Sequence, residues 1–200
     1  MSDFSGDEKE YLSQTFTGLD LSTDEIVSIE FDGCTFKECN FSETTFNSCK
    51  FIDCLFLKCN LSVAKIQRSK FSDVIFDECK IVGVDWTKAS WSSLAFSSPI
   101  KFFRCIVNDS SFFGLNLSEI VIEECKAHGV DFREGVFSDA NFTGTDFSSS
   151  LFNSSNLTCA DFTDASSYNI DVNFNQIKGA KFCRLEALSL LEGLGIELVD

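Results

Sequence analysis

Residues Phe36 to Phe56 read FKECNFSETTFNSCKFIDCLF, with phenylalanine at every fifth position: Phe36, Phe41, Phe46, Phe51 and Phe56. Outward from this stretch the frame continues in both directions. Upstream it falls on Phe31, Ile26, Leu21 and Phe16, and downstream on Leu61, Ile66, Phe71, Phe76, Ile81, Trp86, Trp91 and Phe96. A period of five matches neither the 3.6 of a helix nor the 2 of a strand, so neither amphipathic template applies. A short fixed period marks a solenoid, in which each unit buries its apolar residue only by stacking on its neighbours.

The position two before each large residue is small or compact: Cys34, Cys39, Thr44, Cys49, Cys54, Cys59, Ala64, Ser69 and Cys79. The intervening positions are mostly Asn, Asp, Lys, Ser, Thr and Glu, and these face solvent. Residues twenty apart form matching sets, as in Phe16, Phe36, Phe56, Phe76 and Phe96. Four five-residue sides per coil produce such sets. The reading is a four-sided tube with coils stacked about 4.8 Å apart.

This motif resembles that of the pentapeptide-repeat proteins: a small residue, Asn or Asp, Leu or Phe, then two mostly polar residues. The resemblance covers roughly Phe16 to Phe182 and implies an all-β solenoid, a right-handed quadrilateral β-helix. After SSPIK, which holds the one proline, Pro99, the frame resumes a residue late at Phe102 and runs to Phe182. One inserted residue, a bulge and a kink are expected there. Ala127 and Ser167 are weak sides of one column where the tube is open to bowing or to neutral drift, and Tyr168 and Phe174 lie outside the central frame. The expected organisation is an acidic flexible tail at 1–10, the β-helix at 11–183 with a register shift near 97–101, and a C-terminal helix and strand at 184–200.

Composition sets the outer limits. The chain has 200 residues, 44% of them apolar, and 19 of its 23 phenylalanines sit on central positions. No apolar run approaches a membrane span, and MSDFSGDEKE lacks the features of a signal peptide, so the expected location is cytoplasmic. Of ten cysteines, Cys34, Cys39, Cys49, Cys54, Cys59, Cys79, Cys105 and Cys125 hold the small inward position, where cysteine acts as a compact hydrophobe. Packing is therefore favoured over zinc or disulfides, and Cys159 and Cys183 are expected as exposed thiols. His128 is the sole histidine, outward beside Ala127, and no phosphate loop or metalloprotease motif exists. The chain reads as a non-enzyme with no cofactor and no metal.

The net charge is −15, from 31 acids against 16 bases, which disfavours nucleic-acid binding. The coils would form a rod on the order of 40 Å long. The tail RLEALSLLEGLGIELVD leaves the period of five: Leu185, Leu188 and Leu191 have helical spacing, and Ile196, Leu198 and Val199 suit a short strand. A solenoid end needs a cap, and this apolar tail is more than one lid requires.

SIEFDGCTFKECNF, CKIVGVDWTKASW, NDSSFFGL, YNIDVNFNQIKGAKF and above all SLLEGLGIELVD resemble the pentapeptide-repeat proteins that confer resistance to gyrase poisons. These include the fluoroquinolone, microcin B and, most closely, albicidin types. The resemblance implies a homodimer through the C-terminal helix, shaped as a rod that imitates duplex DNA, binds DNA gyrase and protects it from an antibiotic or toxin. Carried over by position, Leu185, Leu188, Leu191, Leu194 and Ile196 would be dimer contacts. Glu38, Asp53, Asp73, Glu78, Glu119 and Asp139, on the outer faces, would stand in for phosphates. Plasmid-type quinolone-resistance relatives carry projecting loops of several residues, which this chain, with its single inserted residue, is expected to lack. That points toward gyrase inhibition or protection against another toxin. The alternative is a generic repeat scaffold for some other protein.

Overall fold

The computed structural model describes residues 8–91 and 99–196. It is a solenoid of about eight turns whose strands pair in parallel, closed by one short helical turn. The register is twenty residues per coil: Phe16 lies over Phe36, Phe31 over Phe51, and Ile26 over Phe46. Each strand is about three residues long with its middle residue buried, so each side turns one large side chain inward beside its small one. The four faces are identified here by their first central residues: Tyr11, Phe16, Leu21 and Ile26.

The core is a set of ring columns. Phe16, Phe36, Phe56, Phe76 and Phe102 stack with centroids 4.6–5.3 Å apart, and Tyr11, Phe31, Phe51 and Phe71 at 5.2–5.4 Å. Rings on adjacent sides meet edge to face, as Phe51 does with Phe56 at 5.6 Å. Such offset and edge-on contacts add to simple area burial.

The small column has a second function. Cys39 N–H donates to Cys59 Sγ, Cys59 to Cys79, Cys79 to Cys105 and Cys105 to Cys125, at 3.2–3.4 Å, and Cys125 N–H donates to Thr145 Oγ1 at 3.1 Å. On the opposite column Cys49 N–H donates to Ser69 Oγ at 3.0 Å. The Cys59 thiol in turn donates to Phe36 O, 3.3 Å away. Cys, Ser and Thr are interchangeable here because each offers a γ acceptor and donor to a buried backbone group that would otherwise be unpaired. Burial pushes the Cys54 thiol up to about 12. Eight cysteines are buried, Cys159 is exposed and Cys183 half-buried. A thiol reagent should therefore modify two cysteines in the native protein and ten in denaturant; rapid native labelling of more than two would contradict the buried ladder.

The register changes once. Ser90 N–H still donates to Ser69 O, a regular twenty-residue coil, but Val74–Asp77 pairs with Ile100–Phe103 at a separation of twenty-six. Six residues, not one, have entered between Ser90 and Pro99. Phe102, not Phe96, stacks on Phe76, at 5.2 Å. The expectation that the chain lacks an insertion of several residues is thus corrected; residues 92–98, Phe96 included, lie outside the described residues. The Pro99 carbonyl accepts from Val74 N–H at 3.0 Å.

Other expectations are adjusted. Ala127 is fully buried, and its side stays in the ladder through Ile106, Lys126 and Asp146. Ser167 is exposed with a left-handed backbone, and Tyr168, one residue on, supplies the buried ring against Phe162 and Phe182. Phe174 is exposed. Of the tail expected at 1–10, residues 1–7 lie outside the described residues, and Glu10 already pairs with Glu30 in a strand. The C-terminal helix comprises a 3-10 turn, Glu186–Leu188, and an α turn, Ser189–Glu192. The strand expected from Ile196 through Leu198 and Val199 falls largely in 197–200, outside the described residues.

Candidate interaction surface

Four-sided coils need a sharp bend after every side, and the bend falls two residues beyond each central residue. There the backbone takes a left-handed φ; 23 non-glycine positions among the described residues do so, all but Ser167 at such a bend. That conformation costs an ordinary residue roughly 1 kcal/mol or more. It is held by corner N–H groups that bond the next coil, as Asp53 N–H does to Ser72 O and Glu38 N–H to Leu57 O, both at 2.9 Å. Eleven of the 23 are Asp or Glu and three are Lys or Arg. The acids thus occupy the outermost edges of the tube.

All six acids singled out from the sequence stand on these corners, at φ between 49° and 62°. The structure gathers four of them into one ridge. Asp53, Asp73, Glu119 and Asp139 follow the Tyr11 face down a single corner, with the insertion between Asp73 and Glu119. None of the four has an ion-pair partner among the described residues. Glu38 and Glu78 lie on a different corner, alternating with Lys58 and Arg104; Lys58 Nζ is 3.6 Å from Glu78. That edge is mixed in charge.

Acids on the flat faces are mostly spoken for. Glu30 pairs with Lys50 at 2.6 Å, Asp131 with Arg133 at 2.8 Å, Asp161 with Lys181 at 2.8 Å, and Asp77 with Arg104. His128 Nε2 lies 2.9 Å from Asp146, so the sole histidine is partnered on the surface. Burial pushes the Asp146 carboxyl up, but hydrogen bonds from Ser148 and the neighbouring His128 outweigh it and leave it below its usual value. Hydrogen bonds from the Arg133 guanidinium hold Asp131 below its ordinary range. A depressed folded pKa stabilises the fold above the unfolded value of about 3.9, and this is lost as pH falls through the folded pKa. The melting-temperature gap between the protein and an Asp131→Asn variant should therefore be widest above the unfolded value and close as pH falls through the lowered folded one. A gap that widened on acidification would refute the pairing.

The dimer candidates lie together at the tube's end. Leu185, Leu188, Leu194 and Ile196 are 82%, 49%, 51% and 52% exposed, and Leu191 is half-buried. Leu190, which the helical spacing passed over, is the residue that packs onto the core. Among the described residues no group of His, Cys, Asp and Glu is arranged to hold a metal, and no helix is long and apolar enough to cross a membrane.

Comparison with solved structures finds the same architecture. A trypsin-treated form of QnrB1, a plasmid-mediated fluoroquinolone resistance protein, superposes with a TM-score of 0.63 at 24% identity, over 98% of this chain and 93% of that one. A second trypsin-treated form gives 0.61 at 24% identity, over 95% and 90%. HetL, a pentapeptide repeat protein involved in heterocyst differentiation regulation from the cyanobacterium Nostoc sp. strain PCC 7120, gives 0.53 at 14% identity, over 88% of each chain. Identities this low establish the fold alone. No curated protein matches the sequence significantly. The pentapeptide repeat region model matches residues 29–101, and the model of pentapeptide repeats in eight copies matches 116–153 and 136–166. With more than half of its length covered by these models and its coils built on their period, the chain belongs to the pentapeptide-repeat proteins.

Proposed function

We propose that the chain is a non-enzymatic DNA mimic that binds DNA gyrase and protects it from a gyrase-poisoning antibiotic or toxin, as a homodimer joined through its C-terminal helical turn. The observation that carries this reading is the acidic corner edges, eleven acids against three bases, on a rod of net charge −15. A tail-to-tail dimer about 80 Å long would carry roughly one net negative charge per 2.7 Å, against about one per 1.7 Å in duplex DNA. Likeness to the QnrB1 fold supports the same class of role. The six-residue insertion removes the reason to set quinolones aside.

The test is gyrase supercoiling with purified protein, with and without fluoroquinolone, microcin B and albicidin. Rescue from a poison at low dose, or inhibition at high dose, is expected; no effect in either arm defeats the reading. Duplex DNA should displace the protein from gyrase, and salt should weaken binding. A scaffold that docks elsewhere, as the breadth of roles on this fold allows, would resist that displacement.

The dimer has its own test. Leu188→Asp places a charge in the exposed apolar end and should convert the dimer to monomer in sedimentation or light scattering. A variant that still ran as a dimer would remove the C-terminal turn as the interface.

A further inference from the structure

Apolar side chains at outward positions mostly stand singly, as Leu12, Val27, Val63, Phe113 and Leu151 do, with one concentrated exception. On four successive strands of the Phe16 face, Leu55–Leu57, Val74–Asp77, Ile100–Phe103 and Val121–Glu123, five of eight outward residues are apolar: Leu55, Leu57, Ile75, Phe103 and Val121. The strands above carry Thr15, Thr17, Thr35 and Lys37, and Asn141 and Thr143 follow below. Register places Leu55, Ile75, Lys101 and Val121 in one row, and Leu57, Asp77, Phe103 and Glu123 in the other. At the strand spacing the patch runs on the order of 15 Å along the tube. All five side chains are half-buried, and no second layer of described elements packs on this sheet. The tube's core is inside, so these residues do nothing for it. Such an outward apolar cluster, with Asp77, Lys101 and Glu123 standing among it, marks a docking surface.

Charge selects the occupant. The acidic ridge borders this face directly: Asp53, Asp73 and Glu119 each stand two residues before Leu55, Ile75 and Val121. The opposite edge alternates Lys58, Glu78, Arg104 and Glu124. A fitting partner presents a line of basic groups beside exposed apolar side chains. Nucleic acid offers neither. A second copy paired through this face would lay two chains of net charge −15 side by side along their length. Proteins that bend DNA carry this combination, basic residues for phosphates and apolar wedges for base steps.

Resting on the gyrase reading above, we propose that the Phe16 face with its bordering ridge is the side of the rod that seats on the enzyme's DNA-binding surface. The five apolar side chains give this contact a component that phosphates cannot supply, so part of the affinity resists salt. The test is calorimetric titration of the full chain into purified gyrase at several temperatures and salt concentrations. The Ile75→Ser/Phe103→Ser double variant should bind about tenfold or more weakly. Its heat-capacity change should be less negative, with the salt dependence retained. Leu151→Ser, on the Ile26 face, should bind like the unaltered protein.

Equal binding by the double variant overturns the assignment of this face. So does a double variant whose solution mass drops relative to the parent, which assigns the face to a second copy. Both results leave gyrase binding standing. If the unaltered chain fails to bind gyrase, the functional reading falls and this inference with it.

Discussion

Phe56→Ala is expected to lower the unfolding free energy by about 3–5 kcal/mol, the largest loss of any single substitution considered. Phe56 is 1% exposed, stacks on Phe36 at 4.6 Å and on Phe76 at 4.9 Å, and meets Phe51 and Phe41 edge on at 5.6 and 6.1 Å. The coils above and below are pinned at the strand spacing by backbone bonds on all four sides, so the void cannot collapse. Against a typical domain stability of about 5–15 kcal/mol this is a large fraction. In a quasi-one-dimensional stack the damage falls on the interface between neighbouring coils, and the two halves should lose cooperativity. Denaturant melts followed by circular dichroism and by the fluorescence of Trp86 and Trp91, Trp86 lying 5.8 Å from Phe76, would report both effects. Phe56→Leu, which keeps most of the volume, should cost less than about 1.5 kcal/mol. A loss below about 1 kcal/mol for the alanine variant would mean that the column is not the stabilising core.

The period of five sufficed for the tube because burial on each side depends on one residue, and that residue repeats in the sequence. It failed at the insertion for an arithmetic reason. A frame of five registers a six-residue insertion as one residue, since five more restore the frame, and the apolar Phe96 falls on a frame position besides. Only the pairing of Phe76 with Phe102 separates the two cases. The displacement of Ser167 by Tyr168 shows the same limit: a side chain one step away filled the column where the frame residue was too small.

The site was legible in part. Asp53, Asp73, Glu119 and Asp139 were all visible as acids, but their gathering into one ridge follows from the coil length at each level, including the twenty-six-residue coil that brings Glu119 into line. Their position on corners had a signal that went unused: glycine recurs at the same offset in Gly33, Gly83, Gly114, Gly129 and Gly144, all with positive φ. The sulfur ladder was hidden for a different reason. Reading Cys as a small hydrophobe explains its burial but not why Thr44, Ser69, Ser110, Thr145 and Ser150, also buried, share its position. A γ atom that bonds the backbone explains all of them.

Neutralising the ridge, with Asp53, Asp73, Glu119 and Asp139 all changed to Asn, should weaken gyrase binding by about a hundredfold to a thousandfold. The estimate takes about 0.7–1 kcal/mol for each lost charge pair at a wet interface, with 1.4 kcal/mol to a tenfold change. Asparagine is the right replacement because the four backbones have φ of 49°, 52°, 62° and 57°, and Asn tolerates that region better than any residue except glycine. The fold should therefore keep its melting temperature or gain slightly, since four unpaired like charges on one edge no longer repel. That separates a binding defect from a folding defect without a further variant. Binding measured across ionic strength should also show a shallower salt dependence, because fewer charges remain to be screened. The matched control neutralises Glu43, Asp109, Glu134 and Asp164, corner acids off the ridge and away from the apolar cluster. If both quadruple variants lose affinity equally, gyrase senses only the overall charge of the rod and the ridge has no special place. If the ridge variant alone loses it, the contact runs along the edge between the Tyr11 and Phe16 faces. If neither does, the acids serve solubility, and imitation of the phosphate backbone is not how this protein acts.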